Sequence, residues 1–260
     1  MDLGLNGRRA LVLASTRGLG RAIATALAAE GAVVMICGRT GAKEVAARIA
    51  EETGAAVHGR DCDLHDRSAL DALIDDATVR MGGIDILVLN GGGPPPAPAL
   101  AVSSDAWSQW FERMVGNLIH AATRCLPDMR ERRWGRLLTI ASSAAVQPIA
   151  GMALSNSLRA SLLAWNKTVA AEIAADGITC NVILPGRIDT DRVAALDAAQ
   201  AERHARTPDE VRQQALTTIP AARYGRPDEF GAVGAFLCSD KASYVTGTVQ
   251  RVDGGQIRAI

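Results

Sequence analysis

Aromatic side chains make up 3% of this 260-residue chain. A pocket that works by stacking rings is therefore not favoured. Charge of one sign is also missing. The 28 Lys and Arg residues balance 28 Asp and Glu residues, so no bulk field attracts polyanions or acidic membranes, and nucleic acid is not expected as a partner. No uncharged apolar run reaches the length of a bilayer span, and residues 1–9 lack the charged run and apolar core of an export signal. The expectation is a cytoplasmic protein with no membrane partner. Cys37, Cys62, Cys125, Cys180 and Cys238 are scattered, mostly in or beside apolar runs, which suits reduced, packed thiols rather than a disulfide frame. Cys62 and His65 have a spacing that could bind metal, but no second ligand pair lies near them, and no metal is expected.

What is present is one unit repeated. Residues 10–14 form a short apolar run, as a strand buried on both faces should. Residues 18–30 follow, with Leu19, Ile23 and Leu27 recurring every four positions among alanines and Gly31 as a stop, which reads as a helix. The alternation continues with strands at 33–37, 56–60, 84–89, 136–141, 178–184 and 249–252. Helices are expected at 42–52, around Leu70, Leu73, Ile74, Ala77 and Met81, and at 105–130, 152–176 and 228–239. Alternating strands and helices with short connections imply an α/β class: a single-domain, doubly wound (Rossmann-like) parallel sheet with helices on both faces, spanning residues 1–260. Residues 91–98, Gly-Gly-Gly-Pro-Pro-Pro-Ala-Pro, follow a strand and must be a loop.

In such a sheet, ligands bind at the carboxyl ends of the strands. The residues after the first strand are the richest. Ser15, Thr16, Arg17, Gly18, Leu19 and Gly20 lie between strand and helix, where glycines let backbone approach a pyrophosphate and the helix N-terminus offers free N–H groups. Glycines at a turn are often only a turn; it is this position that points to dinucleotide binding.

With these residues the chain resembles the short-chain dehydrogenase/reductase family, and within it the 3-oxoacyl-carrier-protein-reductase-like members. The family's phosphate loop reads Thr-Gly-x-x-x-Gly-x-Gly; here residues 13–20 match it, with Ala14 in place of the first glycine. Further family marks fall in order: Asp63-Leu64, Asn90-Gly91-Gly92, Asn117-Leu118, Ser142-Ser143, Asn181, the Pro185-Gly186 to Thr190 stretch that includes Ile188, and Asp253-Gly254-Gly255. The resemblance implies that Ser15, Arg17, Gly18, Leu19, Gly20, Asp63, Leu64, Asn90, Gly91, Pro185, Gly186, Ile188 and Thr190 hold a nicotinamide dinucleotide. Asp63, placed near the adenine by the resemblance, could instead cap the helix that begins around Asp66. Motifs of this kind specify fold and cofactor far better than substrate.

Charge indicates which dinucleotide. A carboxylate after the second strand would bind the adenosine ribose of NAD and repel a 2′-phosphate. The chain instead has Cys37-Gly38-Arg39-Thr40 there, and Arg39 with Arg17 can pair with a phosphate, which points to NADP(H). The alternative is that both arginines are solvated surface residues.

At the catalytic positions the pattern breaks. Family reductases use a serine to orient the carbonyl, a tyrosine to donate the proton, and a lysine four residues on to tune that tyrosine. Ser142 matches the serine, but Ser155 stands at the tyrosine position and Arg159 at the lysine position, a register secured through Lys167 and Glu172 to Gly177-Ile178. A serine hydroxyl is a poor general acid without a base beside it, and arginine does not deprotonate at working pH. A guanidinium can still bind ribose hydroxyls, a carboxylate or an oxyanion. Three readings follow. In the first, a carbonyl compound and its alcohol are interconverted, with Ser142, Ser155 or Asn156 and Arg159 stabilising the alkoxide and a water held by Asn117 supplying the proton. In the second, the protein binds NADP(H) without redox turnover, as a binding or regulatory subunit. In the third, the pocket performs isomerisation or dehydration.

The remaining features read as structure. Arg130, Arg132, Arg133 and Arg136 around Trp134 suggest a solvated basic turn, Trp107 and Trp110 a packed helix interface, and His120 at most a remote general base. Residues 191–226 are expected to form a substrate lid, setting specificity together with residues 91–98. Family likeness of residues 152–176 and 247–252 implies a homo-oligomer, a tetramer.

Overall fold

The computed structural model describes residues 1–259. Seven strands, β1 (Arg9–Val12), β2 (Val33–Gly38), β3 (Val57–Asp61), β4 (Ile86–Leu89), β5 (Gly135–Ile140), β6 (Ile178–Pro185) and β7 (Val249–Val252), form one sheet in the order β3-β2-β1-β4-β5-β6-β7. Every neighbouring pair is parallel. Alternate residues of a strand point to opposite faces. Leu11, Met35 and Leu87 accordingly enter one core, while Ala10, Val12, Val34, Ile36, Ile86 and Val88 enter another on the opposite face. Both faces are covered, which is why these strands read as unbroken apolar runs.

Helices α1 (Gly18–Ala29) and α2 (Ala42–Thr53) cover one face with α9 (Pro227–Leu237), and α3 (Arg67–Met81), α5 (Asn117–Glu131) and α6 (Ala153–Ile173) cover the other. A short α4 (Ser104–Phe111) precedes α5, and α7 (Asp191–Arg203) and α8 (Pro208–Leu216) follow β6. The chain leaves β1 toward β2 and β3, then returns beside β1 at β4 and builds the other half. A crevice therefore opens at the carboxyl ends of β1 and β4.

Three expectations are corrected. The helix expected over residues 105–130 contains five residues of π-helix, Glu112–Gly116, between α4 and α5, where the Asn117 N–H reaches back to the Glu112 carbonyl. The wider turn rotates every later side chain about the axis. Residues 84 and 85 are not part of β4. Asp85 sits just before it, 4% exposed, and accepts from Arg9 Nε at 2.7 Å and the Arg9 N–H at 3.1 Å, with Arg132 Nε 3.2 Å away. The expected solvated basic turn is likewise only partly so: Arg136 is 2% exposed, donates from Nε to the Ser239 carbonyl at 3.1 Å, and lies 4.2 Å over the ring of Trp134, whose ring also meets Arg8. Trp107 and Trp110 pack against the α3–α5 core.

Candidate active site

The loop after β1 is shaped by close approach. β1 ends at Val12 and Ala14 takes a left-handed conformation, φ 47°, at the position where the resemblance expects glycine. This turn aims the Ala14 carbonyl at Asn90, whose Nδ2 donates to it at 2.9 Å, so the loop after β1 and the residue after β4 are tied across the crevice. Beneath them a Cβ on Gly20 would stand 2.5 Å from the same carbonyl oxygen and 2.8 Å from Asn90 Nδ2; only glycine fits there. Gly91 and Gly92 face open space, with nothing within 4 Å of a Cβ on either. A shallow, side-chain-free cradle at the N-terminus of α1 suits a pyrophosphate.

The flanking residues divide into two groups. Ser15 is wholly buried and its hydroxyl is consumed inside the fold, donating to the Val12 carbonyl at 2.5 Å and accepting from Cys37 N–H at 3.1 Å; it joins β1 to β2 and does not face the crevice. Arg17, in an extended conformation before α1, and Arg39, just past β2, are both exposed and form no ion pair among the described residues. A Cβ on Gly38 would collide with Thr16 Oγ1, so the segments that carry the two arginines touch. The carboxylate at the end of β3, Asp61, stands opposite Gly38 and gives one oxygen to the Ala42 N–H at 2.8 Å.

Asp63 does not cap α3. Asp66 does, accepting from the N–H groups of Ser68 (2.9 Å) and Ala69 (3.3 Å), while Asp63 is exposed and accepts only from His65 N–H at 3.0 Å. Leu64 packs into the core and its carbonyl accepts from Asn117 Nδ2 at 2.8 Å. Gly186 crosses Asp253 closely, its N–H donating to the Val252 carbonyl at 2.9 Å. Pro185 closes β6, Ile188 is buried, and Thr190 caps α7 through Val193 N–H.

At the end of β5, Ser142 begins a single 3₁₀ turn and accepts from Ala144 N–H at 3.2 Å, which leaves its own proton free to donate. Ser155 and Arg159 stand four residues apart on α6 and so project from one face. Ser155 is buried, 6% exposed. Arg159 Nη1 donates to the carbonyls of Ile140 (3.3 Å) and Ala141 (3.2 Å), which places the guanidinium at the end of β5 beside Ser142. Burial, and secondly the charge of Arg192, push Arg159 down to about 10. It remains a cation at neutral pH.

Two expected roles do not survive this geometry. Asn117 is 1% exposed, with Nδ2 on the Leu64 carbonyl and Oδ1 accepting from Arg67 at 3.2 Å, so its side chain is not free to hold a catalytic water. Asn156 is turned to the backbone of Ile149, donating to its carbonyl at 2.9 Å and accepting from its N–H at 3.4 Å. His120 pairs with Asp71 at 2.7 Å between α3 and α5. Among the described residues no group of His, Cys, Asp and Glu is placed to hold a metal.

The segment after β6 is helical, and its two ends are joined to each other. Asp189 N–H donates to the Gly225 carbonyl (2.8 Å) and Gly225 N–H to the Arg187 carbonyl (2.9 Å). Arg187 also donates to the Tyr224 hydroxyl at 3.1 Å and pairs with the buried Asp197, which accepts from that hydroxyl at 2.8 Å. Arg192, in the first turn of α7, was not anticipated. A Cβ on Gly93 would lie 3.6 Å from its Nη2 and 3.8 Å from Nη2 of Arg159.

Comparison with known proteins agrees with this architecture. A family model described as enoyl-(acyl carrier protein) reductase matches residues 13–256. The 3-oxoacyl-[acyl-carrier-protein] reductase FabG of Aquifex aeolicus is 34% identical over 257 residues, covering 98% of this chain and 99% of its own. Among solved structures, the L-sorbose reductase of Gluconobacter frateurii, complexed with NADPH and L-sorbose, superposes over 100% of both chains with a TM-score of 0.94 and 30% identity. YwfH, an NADPH-dependent reductase involved in bacilysin biosynthesis, superposes over 97% of this chain and 99% of its own with a TM-score of 0.91 and 27% identity.

Proposed function

The chain belongs to the short-chain dehydrogenase/reductase family, and from that premise we propose that it is an NADP(H)-dependent oxidoreductase that interconverts a carbonyl compound and its alcohol through an atypical catalytic set. One observation carries the reading: Arg17 and Arg39, exposed and without ion-pair partners among the described residues, rise beside an unobstructed glycine cradle. Two guanidinium groups there favour the extra phosphate of NADP(H) over the free ribose of NAD. The backbone of Gly18, Leu19 and Gly20 would hold the pyrophosphate, and Asn90, Gly91, Pro185, Gly186, Ile188 and Thr190 would line the rest of the cofactor. Asp63, exposed and free of any capping role, would hold the adenine. The NADPH-bound relative of the same fold supports the assignment.

When bound, the nicotinamide supplies a hydride. The chain's own task is to hold the carbonyl and manage charge on its oxygen. Ser142 donates its free proton in a hydrogen bond to that oxygen, and the fixed Arg159 cation beside it stabilises the developing alkoxide. With serine in place of the phenol, the proton that ends on oxygen comes from water at Ser142 and Ser155, since the Asn117 side chain is engaged elsewhere. The helices over residues 191–226 act as the lid, and the assembly is a cytoplasmic homotetramer. A second reading, NADP(H) binding without turnover, is favoured by one observation: neither Ser155 nor Arg159 is a tuned acid.

Fluorescence titration with NADPH and NADH tests the cofactor. NADPH binds at least tenfold tighter, and Arg17→Ala/Arg39→Ala removes the difference; equal affinities, or a preference for NADH, refute the reading. An absorbance assay of NADPH against a carbonyl panel separates the two activities. Silence from the parent while Ser155→Tyr/Arg159→Lys turns over assigns the protein to binding.

A further inference from the structure

The pair of guanidinium groups over Gly93 marks a second centre of positive charge in the crevice, distinct from Arg17 and Arg39. Arg159 comes from α6 and Arg192 from the first turn of α7, yet both Nη2 atoms lie within 4 Å of one point, the place where a side-chain carbon of residue 93 would begin. Three other arginines around the lid are paired: Arg187 with Asp197, Arg212 with Asp189, Arg223 with Glu229. Arg159 and Arg192 have no ion-pair partner among the described residues. Their mutual repulsion adds to the burial that lowers the Arg159 pKa. Arg192 also sits at the positive end of α7, where a cation is disfavoured.

Two unpartnered guanidinium groups thus meet in front of Gly93, and an arrangement of this kind is relieved by an anion. Both Nη2 atoms border the side of Gly93 that carries no side chain, so one carboxylate lying there, clear of the Gly93 backbone, can accept a charge-assisted bond from each. Glycine at 93 leaves the room unfilled. Arg159 Nη1 is spent on the carbonyls of Ile140 and Ala141, so Nη2 is the atom left to reach a ligand.

We propose that Arg159 and Arg192 together bind the carboxylate of an oxo-acid substrate, with Arg192 delivered by the lid and Gly93 providing the space. The proposal rests on the oxidoreductase reading for its substrate class, but its geometry needs only the two arginines. It makes Arg192 the specificity-determining residue and predicts that a carbonyl compound lacking a negative charge is a poor ligand.

The test uses the full-length protein saturated with NADPH and calorimetric titration with 2-oxobutanoate and acetoacetate, each against its methyl ester. At least one acid binds on the order of 10- to 100-fold tighter than its ester. Arg192→Ala abolishes that preference, Arg192→Lys restores part of it, and the NADPH affinity stays within twofold throughout. Equal binding of acid and ester for both compounds overturns the proposal. So does a tenfold loss of NADPH affinity in Arg192→Ala, which would assign the pair to the cofactor's phosphates. If NADPH does not bind at all, the functional reading fails, and the same acid and ester titration on the cofactor-free protein still decides the carboxylate site.

Discussion

Replacing Ala14 by glycine is expected to stabilise the protein. Ala14 is held at φ 47°, its carbonyl accepts from Asn90 Nδ2 at 2.9 Å, and Gly20 is pressed against the same oxygen. The loop cannot relax this residue without breaking the tie across the crevice. A left-handed conformation costs a non-glycine residue about 1–2 kcal/mol, and glycine next to nothing. Glycine also gives the unfolded chain more freedom, which returns roughly 0.5–1 kcal/mol. The balance favours Ala14→Gly by about 0.5–1 kcal/mol. At roughly 2–4 °C per kcal/mol for a chain of this size, the unfolding midpoint rises by about 1–4 °C. Thermal melts followed by circular dichroism, with urea titrations alongside, measure both quantities. Ala14→Val serves as the opposite arm, because a β-branched residue tolerates the left-handed region less well than alanine. A midpoint for Ala14→Gly below that of the parent refutes the reasoning, since it would mean that the methyl group earns more from its neighbours than the backbone loses.

Asp85→Asn leaves Arg9 and Arg132 facing a neutral amide at a nearly buried position, and it should cost about 3 kcal/mol in urea unfolding, the low end of the range for breaking a buried pair because Arg9 keeps some exposure. The same carboxyl lies below its ordinary pKa: burial would raise it, but the Arg9 hydrogen bonds and the charge of Arg132 outweigh that. Its contribution is complete above the unfolded value and lost as pH falls through the folded one, so the urea midpoint of Asp85→Asn should fall less steeply with acid pH than that of the parent. Glu229, paired with Arg223 and bonded to the Arg226 N–H, is held down to about 2 from an ordinary 4.5. Stability should therefore fall as pH drops from 4.5 toward 2, with a shallower slope in Glu229→Gln, and identical slopes would remove Glu229 from the account. Burial pushes the thiols of Cys37, Cys125, Cys180 and Cys238 up to about 12 and that of Cys62 to about 11. A thiol reagent at neutral pH should label almost none of the native protein and all five cysteines after denaturation; rapid labelling of the native state would contradict the burial.

The central strands were legible because they are buried on both faces, so that Leu11 and Val12 or Leu87 and Val88 are both apolar despite pointing in opposite directions. The glycine cradle was legible because it lies between a strand and a helix. The π-helical stretch at Glu112–Gly116 left no trace, since one extra residue in a turn changes the phase of a pattern and not its composition. Helix α8 does leave a trace in the sequence: Thr207 and Glu210 form a capping box around Pro208 at its start, with Glu210 Oε2 accepting from Thr207 N–H at 2.8 Å. Asp85 was also readable, because a carboxylate inside an apolar run must find a partner. Ser15 and Asn117 stood at motif positions, but which way a hydroxyl or amide turns depends on neighbours far along the chain, Cys37 for the one and Leu64 for the other. Arg192 was beyond sequence reasoning for the same reason. Its companion lies on another helix, and only the folded chain brings them to Gly93.

The stitching of residues 187–189 to Gly225, with the Arg187, Tyr224 and Asp197 knot beneath it, fixes how the α7–α8 segment behaves when cut. A flap hinged at one edge swings free once its backbone is severed. This one leaves and returns through a single stitched base, and α7 is also bound through Asp197 to Tyr224 on the returning chain, so a protease that cleaves between α7 and α8 releases no fragment and α7 stays tied to the far side of the cut.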